Sequence, residues 1–304
     1  MIADDFLRYL AAERDASHYT VQFYAEALEE YQKFLDGIED GLKIEDADAD
    51  LIRTWVESLM DKGLKPAPVN LKLSAVRSLY KFALRKGAVR KDPAHAVTGP
   101  KKEKTLPTFL KESEADRLFD ELDWNMDDMY DVRARTIILL LYSTGIRRSE
   151  LLGLRDKDVN FLTREIKVTG KRRKQRIVPL GDEILEELRR YVDMRNETVE
   201  WAGSTEEDEG QRPLFVTDNG KPLTENYVYT LVRKYLSLVT TQKKRSPHVL
   251  RHTFATAMLN NDAKLGSVQK LLGHASLNTT QVYTHVTFEE LKRTYKKAHP
   301  RAED

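Results

Sequence analysis

Over residues 4–87 apolar side chains recur at helical spacing. A segment opening at residues 17–20 carries Tyr19, Phe23, Ala27, Tyr31 and Phe34, separated by fours and threes, which predicts one stripe of an amphipathic helix. Leu51, Trp55 and Leu59 predict a second stripe, and Pro66 and Pro68 restart the chain before a further helix over about 68–86. At ~100° per residue, Val69, Leu73, Val76, Tyr80 and Ala83 share one face of that helix, while Asn70, Ser74, Arg77, Lys81 and Arg85 share the other. The first face belongs in a core. The second is a row of donors spaced by turns, which suits phosphates across a groove and equally suits a solvated face.

Between Gly87 and Leu106 the periodicity stops, and Pro93, Gly99, Pro100 and the run Lys101-Lys102-Glu103-Lys104 read as an extended, basic linker. Helical patterns resume over about 113–122 and 131–142. Three β-like stretches follow at 158–161, 165–168 and 176–180, with 169–175 as a hairpin turn, and they predict a small antiparallel sheet. A helix is expected over 182–195, an acidic surface insertion at 206–210, and helices again from Thr224. The expected fold is therefore mostly α with a small antiparallel sheet in its C-terminal domain. It divides into a helical domain over 1–90, a linker over 91–107 and a second domain over 108–304.

Composition narrows the setting. The 304 residues suffice for two cores, and with no cysteine there is neither a disulfide framework nor a thiolate zinc site, so a reducing cytoplasm is expected. The longest apolar run, Ile137 to Tyr142, is too short to span a bilayer, and the acidic pair Asp4 and Asp5 does not open a secretion signal. The formal net charge of +1 hides a division along the chain. Residues 1–64 hold sixteen acids against six bases, whereas residues 65–104 hold eleven bases against two acids. A polyanion can thus be held by one face while the total charge stays near zero.

The residues that carry chemistry lie further on. His248-Val249-Leu250-Arg251-His252 precedes Leu272-Gly273-His274, and Tyr283 follows nine residues after His274. Together they offer proton carriers, a guanidinium and a phenol, the groups needed for attack on a phosphodiester by a side chain. Two rival motifs fail. Gly170-Lys171 lacks the glycine at 165 and the Ser or Thr at 172 of a nucleotide-binding loop, where this chain has Glu165 and Arg172. His248 and His252 lack the glutamate of the zinc-protease pattern, since Val249 stands in its place. Neither a metal nor ATP is expected as cofactor.

Residues 141–151, Leu-Tyr-Ser-Thr-Gly-Ile-Arg-Arg-Ser-Glu-Leu, resemble the first arginine box of the tyrosine site-specific recombinases. Gly170-Lys171 resembles their lysine position, residues 248–252 their second box and residues 272–274 their third. Residues 279–286, Thr-Thr-Gln-Val-Tyr-Thr-His-Val, resemble the nucleophile segment of the Xer branch. The resemblance runs from the N-terminal helices to about Val286. It implies a two-domain DNA clamp, with an N-terminal SAM-like core-binding domain and a C-terminal catalytic domain.

It further implies a catalytic set of Arg147, Lys171, His248, Arg251, His274 and Tyr283. Arg147 and Arg251 would clamp non-bridging oxygens, because guanidinium donates paired hydrogen bonds and keeps its charge. Lys171 would be general acid to the leaving 5′ oxygen, its proton affinity lowered by Arg172, Arg173, Lys174 and Arg176, with Lys174 as the alternative acid. His248 would assist proton removal from the nucleophile or bond the phosphate, His274 would donate to a non-bridging oxygen, and Tyr283 would attack. Glu150 is either a carboxylate orienting a clamp or a solvent-exposed partner. Further contacts to DNA are expected from Asn70, Ser74, Arg77, Lys81, Arg85, Arg172, Arg173, Lys174, Lys243, Lys244 and Arg245.

The implied partner is double-stranded DNA at a specific site, bound by a tetramer of this chain or of this chain with a paralogue. The tail stripe of Phe288, Leu291 and Tyr295 would dock into a neighbouring subunit or pack on its own domain. Chromosome-dimer resolution is the expected role. Integration of a mobile element uses the same residues, and a helical DNA-binding protein without chemistry is the alternative from another class.

Overall fold

The computed structural model describes residues 2–14, 16–101, 108–170, 173–200, 210–273 and 287–302. The chain forms two compact units, Met1–Thr105 and Leu106–Asp304. Of the features expected above, Lys171, Arg172, His274, Tyr283, most of the linker's basic run and the acidic residues 206–209 lie outside the described residues.

In the first unit, helices α1 (Ile2–Ala12), α2 (His18–Asp36), α3 (Ala49–Asp61) and α4 (Pro66–Arg85) surround one core. The starts of α2, α3 and α4 have local causes. Ser17 caps α2 by accepting from the Thr20 N–H, Asp48 caps α3 by accepting from Asp50 and Leu51, and a proline opens α4 where no N–H is needed. The apolar stripe of α4 is buried from Val69 to Ala83 as its spacing requires. On α2 the inward face is Ala27, Leu28, Tyr31 and Leu35, and Tyr19, expected on the stripe, is 73% exposed. Leu28 and Leu35 lie seven apart, two helical turns, so they turn the buried face away from Tyr19. Tyr80 donates to the Ile44 carbonyl at 2.6 Å, which satisfies a buried phenol.

The segment expected to be an extended linker is partly folded. A 3-10 turn at Pro93–Ala96 is capped by Asp92, and Ala94 and Val97 are buried in the helical core. Two members of the expected donor row hold this segment. Asn70 Nδ2 donates to the carbonyls of Pro66 and Pro100 at 2.7 and 2.8 Å, and Arg77 donates to the Val97 carbonyl. Ser74 Oγ donates to its own helix at Asn70 O. Lys81 and Arg85 remain exposed, with the Arg85 guanidinium 5.0 Å from the Tyr9 ring. The row is uniform as a helical face but not as a surface, because residues 92–100 fold back over its first half.

The second unit is built on α6 (Met129–Thr144), preceded by α5 (Glu112–Asp116) and a π turn at Arg117–Glu121. From Ile137 to Thr144 every side chain of α6 is buried, so this helix is central, with α8 (Asp182–Thr198) and α10 (Pro247–Asn260) against it. After α7 (Arg148–Leu152) comes the antiparallel sheet of β1 (Val159–Asn160), β2 (Glu165–Thr169) and β3 (Gln175–Pro179), in the order β1-β2-β3. Ile166 faces Val178 and Val168 faces Arg176 across the β2–β3 pair. Helices α9 (Glu225–Val239), α11 (Leu265–Leu272) and α12 (Phe288–Ala298) complete the unit.

The tail packs on its own unit. Tyr295, Ala298 and Ala302 join its core, and His299 is buried with its ring 5.3, 5.5 and 5.4 Å from those of Tyr142, Phe254 and Tyr295. No helix among the described residues is long and apolar enough to cross a membrane.

Candidate active site

Arg147 is presented by a sharp turn. Helix α6 ends at Gly145 with φ of +61°, a conformation that favours glycine, and a Cβ there would stand 2.5 Å from Phe254 Cδ1 and 2.8 Å from Leu272 Cδ2. The turn buries Ile146 and leaves Arg147 at the N-cap of α7 with 38% of its side chain exposed. Access and anchoring are thus combined in one residue.

The anchor is Glu150, whose side chain is 2% exposed. Its Oε2 accepts the Arg147 backbone N–H at 2.8 Å and its Oε1 accepts Arg147 Nη1 at 2.8 Å. From β3, Arg176 donates Nη1 to Oε1 at 2.9 Å and Nη2 to Oε2 at 2.8 Å. Burial by itself would raise the Glu150 pKa, but the hydrogen bonds from Arg176 and Arg147 outweigh it and hold the carboxyl below its ordinary value.

Arg251 enters from the inward face of α10 and is 8% exposed. It donates Nη1 to the Gly145 carbonyl at 2.5 Å and Nη2 to the Leu272 carbonyl at 2.7 Å. Arg147 Nη2 donates to the next carbonyl, Gly273, at 3.3 Å. Two arginines 104 positions apart in sequence therefore meet at the turn that ends α11. Burial, and after it repulsion from Arg147, pushes the Arg251 pKa down to about 10, with Glu150 opposing and Arg176 adding to the shift. Three guanidinium groups around one carboxylate leave an excess of positive charge, the condition that an entering phosphate relieves.

His248 precedes Arg251 by three residues on α10, one turn away, and is exposed. Desolvation comes first, and the neighbouring His252, Arg148, Arg251 and Arg147 follow in holding its imidazole below the ordinary value. A neutral imidazole beside two arginines can take up a proton. Of the six residues implied as catalytic, the structure brings together Arg147, His248 and Arg251. Lys171, His274 and Tyr283 lie outside the described residues.

Among the other expected contacts, Arg173 is exposed with φ of +55°, and Lys174 is exposed with its carbonyl accepting from Gly170 at 2.8 Å. Lys243 and Lys244 are exposed between α9 and α10, whereas Arg245 is half-buried and donates Nε to the Gln242 carbonyl at 2.8 Å. Arg176 appeared in the sequence only as a charge near Lys171. The signal was present in the alternation of Arg176, Val178 and Leu180, which places an arginine on the inward face of a strand.

Known proteins match this chain over nearly its whole length. Residues 108–290 match the profile of the phage integrase family, and residues 3–87 match that of the phage integrase N-terminal SAM-like domain. The chain is 39% identical to tyrosine recombinase XerC of Chlorobaculum tepidum, covering 98% of this chain and 94% of that one. It is 35% identical to tyrosine recombinase XerD of Staphylococcus haemolyticus, covering 99% of both. In fold it resembles XerH site-specific recombinase, solved bound to palindromic difH substrate as a post-cleavage complex, with a TM-score of 0.70, 23% identity, and 97% and 84% of the two chains covered. The arginine and histidine boxes are thus held by a fold and a sequence of one kind: the chain belongs to the phage integrase family and is a tyrosine recombinase similar to its Xer members.

Proposed function

We propose that this recombinase exchanges DNA strands at a specific site through a covalent 3′-phosphotyrosyl intermediate and a Holliday junction, and that its role is chromosome-dimer resolution. The observation that carries the chemistry is the meeting of Arg147 and Arg251 at the carbonyls of residues 272 and 273, with Glu150 and Arg176 behind Arg147. Both guanidinium groups neutralise charge gained by the non-bridging oxygens in the transition state. The Tyr283 oxygen attacks phosphorus, its proton passes to His248, the bond to the 5′ oxygen breaks, and Lys171 protonates that oxygen. His274 donates to a non-bridging oxygen. The bond energy is kept in the phosphotyrosine, so rejoining needs no ATP.

In this function residues 1–90 bind the core DNA, 91–107 connect and 108–304 catalyse, the two domains holding duplex DNA as a clamp in the cytoplasm. The protein acts as a tetramer on DNA, with identical or paralogous subunits joined through α12. Since Tyr295 and Ala298 are buried in their own unit, such a junction exchanges an intramolecular contact for an intermolecular one.

The test is denaturing capture of protein-linked fragments after incubation with sheared genomic DNA, followed by sequencing of their ends. Recovery of one recurrent sequence from the wild-type chain, and none from Tyr283→Phe, is expected. Capture by the Phe variant would show that another residue attacks. Lys171→Ala and Lys174→Ala, compared on the captured site, separate the two candidate acids.

A further inference from the structure

We propose that Arg176 is a positioning residue for phosphate activation, acting through Glu150 on Arg147 and through the Leu271 carbonyl on the turn beside it. This inference rests on the transesterification reading above. Arg176 stands on β3 opposite Val168, on the inward face of the sheet, and its side chain is 14% exposed. All three of its guanidinium nitrogens donate. Nη1 and Nη2 bind both oxygens of Glu150, and Nε donates to the Leu271 carbonyl at 2.7 Å.

The three hydrogen bonds end on two supports of the clamp, the Glu150 carboxylate and the turn that begins at Leu271. Glu150 holds both the backbone and the guanidinium of Arg147. Leu271 is followed by Leu272 and Gly273, whose carbonyls receive Arg251 and Arg147. On the hairpin side, a Cβ at Gly170 would lie 3.1 Å from Glu150 Oε1, so the base of the β2–β3 turn rests against the same carboxylate. Gly273 has φ of +64°, and a Cβ there would stand 2.9 Å from Arg176 Nη1, so the turn closes directly on this guanidinium.

Lysine cannot reproduce the arrangement. One ammonium meets a single point of charge, whereas guanidinium fixes two carboxylate oxygens and a carbonyl in one plane. Arg176 sits behind Arg147 and outside its exposed side, so its effect on a phosphate is transmitted through the position of Arg147.

The test compares two nicked duplexes bearing the site captured from genomic DNA, one with an ordinary scissile phosphate and one with a methylphosphonate. The methyl group removes the non-bridging charge that Arg147 neutralises. For Arg176→Met, single-turnover adduct formation on phosphate is expected to fall about 100-fold, as for a misplacement of about 1 Å, while the loss on methylphosphonate stays within roughly 3-fold. DNA affinity should be nearly unchanged. Arg176→Lys, which keeps a cation beside Glu150 and guards against loss of folding, is expected to show the same substrate-dependent difference at smaller size. Equal losses on the two substrates in both variants, or no loss on phosphate, overturn the inference alone. Absence of any adduct from the wild-type chain overturns the functional reading and the inference with it.

Discussion

Arg251 donates to the carbonyl of Gly145 at 2.5 Å, joining the interior of α10 to the left-handed turn that presents Arg147. The contact makes Gly145 a determinant of both folding and geometry. Gly145→Ala places a Cβ 2.5 Å from Phe254 and imposes φ of +61° on a residue that disfavours it. A loss of about 2–4 kcal/mol is expected from the combined strain and overpacking. Urea unfolding of the variant measures it, and an unchanged midpoint would contradict the role assigned to the turn.

Glu150→Gln removes the only anion of the arginine cluster among the described residues. Breaking a buried ion pair on one side costs about 3 kcal/mol. The pH dependence has a defined sign. The carboxyl is held below its ordinary 4.5, so its contribution is complete above that pH and is lost as pH falls through the lower folded-state value. Unfolding curves of wild type and variant should differ at pH 7 and converge in acid, and a constant difference down to pH ~2 would count against a charged Glu150.

His299 has the opposite chemistry and a higher window. Its burial, with help from Arg301, pushes the imidazole down to about 4 against a bond to the Tyr142 carbonyl. The unfolded chain takes up a proton near 6.5 and the folded one does not, so stability present above that pH is lost as pH falls toward 4. The expected loss is about 3 kcal/mol, and His299→Gln should abolish it. Calorimetry at pH 7 and pH 5 provides the check; equal slopes for the two proteins would refute a buried neutral His299.

The two halves of α4 should answer differently to salt. Lys81 is exposed, and if it neutralises one phosphate, Lys81→Ala lowers the slope of log affinity against log salt by about 0.9. Asn70→Ala instead removes the bonds to Pro66 and Pro100, so its expected effect is on the stability of the helical unit, with the slope unchanged. Filter binding across a salt series separates the two, and a reduced slope in the Asn70 variant would reverse the assignment.

Local spacing determined a large part of this protein. The buried stripe of α4, the alternation of β2 and β3 and the caps of the N-terminal helices depend on residues within one or two turns of each other, so they are legible in a single chain. The order of the arginine and histidine boxes is by itself enough to identify the family. What the tertiary structure decided is which polar groups are used up by the fold. Arg77 and Asn70 share a helical face with Lys81, yet they hold residues 97 and 100 of the returning chain. Glu150, open to two readings in the sequence, is buried by Arg176 from a strand 26 positions away, and Arg147 and Gly273 meet across 126. Periodicity states which way a side chain points from its own element. It carries no information on what distant segment arrives there, and the desolvation that this arrival imposes is what turns a surface charge into part of a site.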